Sequence, residues 1–141
     1  MTATNAFRQT TDVRYLSLDW IDAVRGAVAA SEPLQRLAPE HEIGFTQIVT
    51  DGPEGDVTYH LQVGDGTIDF APGPADPEHV RMEESWDTAV AVATGALNAQ
   101  EAFVRGQILL RGDQQRLLDS QPLFGALDAV FSTVRADTRY E

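Results

Sequence analysis

The chain has 141 residues, 43% of them hydrophobic, and a formal net charge of −12 from 22 acidic against 10 basic residues. That is the length and composition of one globular domain with a real core, not of a disordered chain. The absence of cysteine excludes disulfides, zinc-thiolate and iron–sulfur sites and thiol nucleophiles, and the acidic field makes nucleic acid and anionic lipid surfaces poor partners.

All ten basic residues are arginine. No apolar run approaches the ~20 residues of a membrane span. The first residues lack the basic-then-apolar pattern of a signal peptide. A soluble, cytoplasmic protein without stable membrane insertion is therefore expected.

Residues 1–16 are polar and mixed and read as a loose arm, ahead of a single domain over 17–141. From Ser17 a helix is predicted. The serine can cap it, Asp19 and Asp22 suit the positive end of its dipole, and Trp20, Ile21, Val24, Ala27 and Val28 form its apolar stripe. Ser31-Glu32-Pro33 opens a second, shorter helical turn with Leu34 and Leu37, which Pro39 ends.

The hydrophobic period then changes from 3.6 to 2. Ile43, Phe45 and Val49 mark one strand. Val57, Tyr59, Leu61 and Val63 alternate strictly with Asp56, Thr58, His60 and Gln62 in a second, which has one wet face. The Gly64-Asp65-Gly66 reversal leads to Ile68 and Phe70, and a loop with Pro72, Pro74 and Pro77 leads to Val80 and Met82 on a fourth strand. These four strands read as an antiparallel meander with one apolar face, which something must cover.

Helices in the second half supply the cover. Ser85 caps one carrying Trp86, Ala89, Val90 and Ala93, which Gly95 stops. Asn98 opens a short helix through Phe103, ending at Gly106. Ile108 and Leu110 form a fifth strand, and Gly112-Asp113 caps a turn with Leu117 and Leu118. The last helix opens at Ser120-Gln121-Pro122 and carries Leu123, Phe124, Leu127, Val130, Phe131 and Val134. The expected class is α+β: a five-stranded sheet with helices on one face.

Residues that could carry chemistry are few. His41, His60 and His79, beside Glu40, Glu42 and Glu78, lie on different segments and read as surface pairs, so no metal site is expected. Glu83-Glu84 reads as an exposed edge and Asp113 as a cap. No HExxH, GxSxG or P-loop is present, and the glycine turns at 52–55 and 64–66 are not followed by the helix a phosphate cradle needs. Neither a catalytic residue nor a cofactor is expected, and the protein reads as a non-enzyme.

The stretch from Gly95 to Asp113 resembles the sterol carrier protein type-two family, in its bacterial stand-alone form. It has a glycine, a short helix ending Ala102-Phe103, then Gly106, a strand, and Gly112-Asp113. The upstream order of strand, Gly-Asp-Gly hairpin, proline loop and strand before a helix fits the same family, and the resemblance covers about residues 43–131. It implies a sheet and helices enclosing an apolar tunnel that binds sterols, fatty acids, acyl-CoAs or phospholipids with low selectivity. The chain differs from that family in its helical segment from Ser17 to Leu37, its strong acidity, and an end at Arg139-Tyr140-Glu141 in place of a peroxisomal address.

If such a cavity exists, its best lining candidates are Tyr59, Phe70, Met82 and Ile108 from the sheet and Phe103, Phe124, Leu127 and Phe131 from the helices. The Tyr59 hydroxyl would either meet a ligand head group or bond a backbone carbonyl. The leading reading is a lipid-binding protein for transfer or for presentation to an enzyme. The alternative is a structural or interaction protein with a filled core and an apolar homodimer or partner interface.

Overall fold

The change of period along the chain becomes a change of layer. The computed structural model describes residues 13–136 and 138–140. In chain order the elements are β1 (Val13–Arg14), α1 (Leu18–Ala30), α2 (Glu32–Leu37), a 3-10 turn (Ala38–Glu40), β2 (Ile43–Gly52), β3 (Gly55–Gly64), β4 (Thr67–Pro72) and β5 (Val80–Ser85). There follow α3 (Trp86–Ala93), α4 (Ala99–Val104), β6 (Ile108–Gly112), α5 (Gln114–Asp119), α6 (Gln121–Arg135) and β7 (Thr138–Arg139). The helices start where short polar side chains satisfy free N–H groups. Ser17 accepts from the Trp20 N–H, Ser31 from Leu34, Ser85 from Thr88, Asn98 from Gln100 and Glu101, and Asp113 from Arg116.

The main sheet has the order β4-β3-β2-β5-β6. The expected four-stranded meander is correct only for β2, β3 and β4. The fourth strand does not pair with the third; β5 lies beside β2 and runs parallel to it. Because β4 and β5 then point the same way, the chain must cross back over the sheet between them. The proline loop at 73–79 makes that crossing on the face opposite the helices. The Ala75 N–H donates to Thr46 Oγ1 (2.9 Å), the Gly44 N–H to His79 Nδ1 (2.8 Å) and Gln62 Nε2 to the Pro77 carbonyl (3.1 Å). His60 Nδ1 lies 2.8 Å from the Gly73 carbonyl. Gly44 permits this closeness, since a Cβ there would collide with the Pro77 carbonyl oxygen. His60 and His79 are thus backbone anchors of the crossover, not the solvated surface pairs expected.

The other face of the sheet meets α1 and α6. Arg25 of α1 donates through Nε to the Phe70 carbonyl of β4 (2.9 Å), and Trp20, Ile21, Val24 and Val28 are buried beneath it. Leu123, Leu127, Val130 and Val134 of α6 face the same core. Residues 1–12 of the expected loose arm lie outside the described residues. Its last four do not behave as an arm: β1 pairs in parallel with β7, and Tyr15 and Leu16 are buried.

Candidate functional site: an apolar cavity with a buried acid

The sheet and the helical layer leave a cavity of about 710 Å³ between them. Alternation decides what the sheet contributes. Phe45 and Gln47 on β2, Tyr59 and Leu61 on β3, Phe70 on β4, Met82 and Glu84 on β5, and Ile108 and Leu110 on β6 all line it. From the helices come Trp20, Ala89, Phe103, Phe124, Leu127 and Phe131. All eight residues singled out from the sequence, Tyr59, Phe70, Met82, Ile108, Phe103, Phe124, Leu127 and Phe131, are brought together in its wall.

The wall is largely aromatic. Trp20 stacks on Phe131 (5.9 Å between centroids, 8° between planes) and meets Tyr59 and Phe70 edge-on at 5.8 and 6.1 Å. Phe45 and Phe124 meet edge-on at 5.1 Å. Such pairs fill space in well-defined orientations. Phe103 is 47% exposed and the neighbouring Val104 82%, so α4 forms the side of the cavity open to water.

A polar group lies on the buried side, where the sequence reading does not place it. Glu84, expected on an exposed edge, is only 5% exposed, on a strand flanked on both sides by β2 and β6. Gln47 Nε2 donates to its Oε2 at 3.1 Å. Burial pushes the Glu84 carboxyl up to about 7, the Gln47 hydrogen bond pulling weakly the other way. Tyr59 and Tyr15 also line the cavity. Burial, and secondarily their charge interactions with each other, Glu84 and Tyr140, push both phenols above the usual tyrosine range. Among the described residues the Tyr59 hydroxyl has no hydrogen-bond partner, so it does not bond a backbone carbonyl there. The signal for Gln47 and Glu84 was present in the chain: each stands at the i+2 position of an apolar-face series, Phe45-Gln47-Val49 and Val80-Met82-Glu84. Tyr15 carried no such signal, since it falls in the polar, mixed arm.

Arg105 and Arg111 are exposed and line no part of the cavity. Among the described residues no group of three or more histidine, aspartate or glutamate side chains is placed to hold a metal ion, and no helix is long and apolar enough to cross a membrane.

A sheet covered by helices across an apolar cavity of this size has the shape and lining of a site for hydrophobic small molecules. The chain belongs to the SCP-2 sterol transfer family, whose model matches residues 41–125, a family of lipid-binding and lipid-transfer proteins. Among solved structures it is similar to a sterol carrier protein 2 with 20% identity and a TM-score of 0.61, over 86% of this chain and 98% of that one. It is also similar to a conserved hypothetical protein of Thermus thermophilus, described as possibly a sterol carrier protein (19% identity, TM-score 0.61, 89% and 91% covered). The apo form of sterol carrier protein 2 from Yarrowia lipolytica follows, with 14% identity, a TM-score of 0.56, and 81% and 88% covered. These likenesses establish the α+β fold. A comparison with curated proteins returns no match.

Proposed function

We propose that the protein binds a sterol, fatty acid or similar lipid in this cavity, without itself catalysing a reaction, and carries it to another membrane or to an enzyme. One observation carries the reading: a cavity of about 710 Å³ whose wall is mostly aromatic and aliphatic and whose open side is the exposed Phe103–Val104 segment. That volume is within the ~300–1,000 Å³ of small-molecule sites. A sixteen-carbon chain would bury roughly 15 methylenes at ~0.8 kcal/mol each, about 12 kcal/mol before association and ordering costs. Micromolar affinity with modest selectivity for the apolar part follows. The open space weighs against the alternative of a filled core serving an apolar dimer interface.

The test is native mass spectrometry of gently purified protein, followed by titration of the delipidated protein with a fluorescent long-chain fatty acid. A lipid adduct or saturable one-to-one binding in the micromolar range is expected. Absence of adduct, with probe binding no better than that of an acidic control protein of similar size, would sink it.

A further inference from the structure

An acid on the apolar face of an interior strand needs a reason. Position 84 continues the series Val80, Met82, and a leucine there would avoid the desolvation that a carboxyl suffers. Within the described residues Glu84 forms no ion pair, and its one hydrogen bond comes from Gln47 to Oε2. Tyr15 and Tyr59 are residues more than nine-tenths buried in the same cavity wall and interact electrostatically with Glu84; their hydroxyls have no hydrogen-bond partner among the described residues and keep contact with the open space. Three polar side chains therefore present unused hydrogen-bonding capacity to a space whose wall is otherwise mostly apolar.

Their chemistry selects a ligand group. A carboxylate beside Glu84 would meet another carboxyl, and the cavity-lining cation among the described residues, Arg135, interacts with Tyr140 and not with Glu84. An ammonium donates only, and would leave both phenol protons without an acceptor. A hydroxyl donates to the carboxyl and accepts from a phenol at once.

We propose that Glu84, with Tyr59 and Tyr15, forms a recognition site for a hydroxyl group carried by an apolar ligand, so that the protein prefers lipid alcohols to acids and ethers of the same skeleton. The proposal rests on the carrier reading and adds to it a polar specificity that an apolar wall alone does not supply. Gln47 acts as a positioning residue, orienting the carboxyl through Oε2 and leaving Oε1 for the ligand.

Competition experiments separate the two ideas. An environment-sensitive apolar dye is displaced from delipidated protein by hexadecan-1-ol, its methyl ether, hexadecanoic acid or hexadecylamine. The alcohol should displace the dye at a concentration about 10-fold lower than the ether, the equivalent of one net hydrogen bond. Glu84→Leu should bring that ratio to about one. Tyr59→Phe, which removes only a hydroxyl from a buried ring, should lower the ratio independently, and thermal melting confirms that each variant is folded. Equal displacement by alcohol and ether in the unaltered protein, or an unchanged ratio in folded Glu84→Leu, overturns the hydroxyl site while binding of the ether upholds the carrier. A preference for the amine or the acid also overturns it. Failure of all four competitors and the dye to bind defeats the carrier reading and this assignment together.

Discussion

The indole of Trp20 lies nearly parallel to the ring of Phe131, with centroids 5.9 Å apart. One residue comes from α1 and the other from α6, and both stand outside the family-matched span of residues 41–125. Two segments flanking that span thus meet and complete one wall of the cavity. Phe131 is consequently both a packing partner and a lining residue.

That dual position sets the expected cost of truncation. Trp20 is buried and touches Tyr15, Tyr59, Phe70 and Phe131, so Trp20→Ala should cost the full ~3–5 kcal/mol of a core aromatic. Phe131 is half-buried, with one side on open space, and Phe131→Ala should cost about 1–3 kcal/mol while weakening probe binding several-fold. Thermal melting and probe titration on each variant check this. A full core cost with unchanged binding by the folded fraction would make Phe131 ordinary core.

Gly44 sits beneath the crossover, and a Cβ there would collide with the Pro77 carbonyl. The neighbour is backbone, itself tied to Gln62 and through Asp76 to the same side chain, so it has little freedom to yield. Gly44→Ala should destabilise by about 1–3 kcal/mol. Gly26→Ala, where nothing lies within 4 Å of the new carbon, should be neutral or stabilising by up to about 1 kcal/mol. Equal melting temperatures for the two variants would contradict the crossover geometry.

The pH dependence of stability should carry the mark of Glu84. Folded, its carboxyl holds a proton up to about pH 7; unfolded, it releases it near 4.5. Between those values the folded state binds more protons, so this group's contribution to stability is complete below about 4.5 and is lost as pH rises through 7. The loss is of order 1–3 kcal/mol. Tyr15 and Tyr59 stay protonated throughout, their phenols being raised further. Glu78 and Asp113 have lowered values, and their opposite effect falls at more acid pH. Glu84→Gln should flatten the decline in denaturation midpoint between about pH 4.5 and 7; an unchanged slope would show that Glu84 titrates normally.

Binding should respond little to salt. The cavity wall is predominantly hydrocarbon, and Arg105 and Arg111 stand outside it, so raising ionic strength from about 0.05 to 0.5 M screens charges that do not hold the ligand. A change in probe affinity under about two-fold is expected. A steep loss would reveal an ion pair with the ligand, for which Arg135 is the cavity-lining cation among the described residues.

Features settled by neighbours in sequence were legible in the chain alone. The caps Ser17, Ser85, Asn98 and Asp113 act within three residues of themselves. The hairpin at Asp65-Gly66 takes its positive φ from residues suited to it. The alternation of Val57, Tyr59, Leu61 and Val63 selected the face those side chains share, because a strand's geometry leaves only two faces to choose from. The same alternation places Tyr59, Phe70, Met82 and Ile108 on the face that lines the cavity, whereas Phe103, Phe124, Leu127 and Phe131 were singled out as apolar side chains of helices.

What depended on distant pairing was not. A proline loop reads as a turn, yet nothing local in residues 73–79 says that β5 will return to the side of β2 rather than add to β4. Glu84 looks exposed beside Glu83 because two adjacent acids suggest a wet edge, and only the flanking β2 and β6 make that strand interior. Tyr15 became part of the wall because β7, more than a hundred residues away, holds β1 in place. The sequence by itself determined the main helices and the five strands of the large sheet, the caps and the inward face of the alternating strands, since short-range backbone geometry governs those. The tertiary structure alone decided the order of the strands, the burial of Glu84 and the cavity itself, because whether two apolar layers interlock or stand apart is set by the separation of elements remote in the chain.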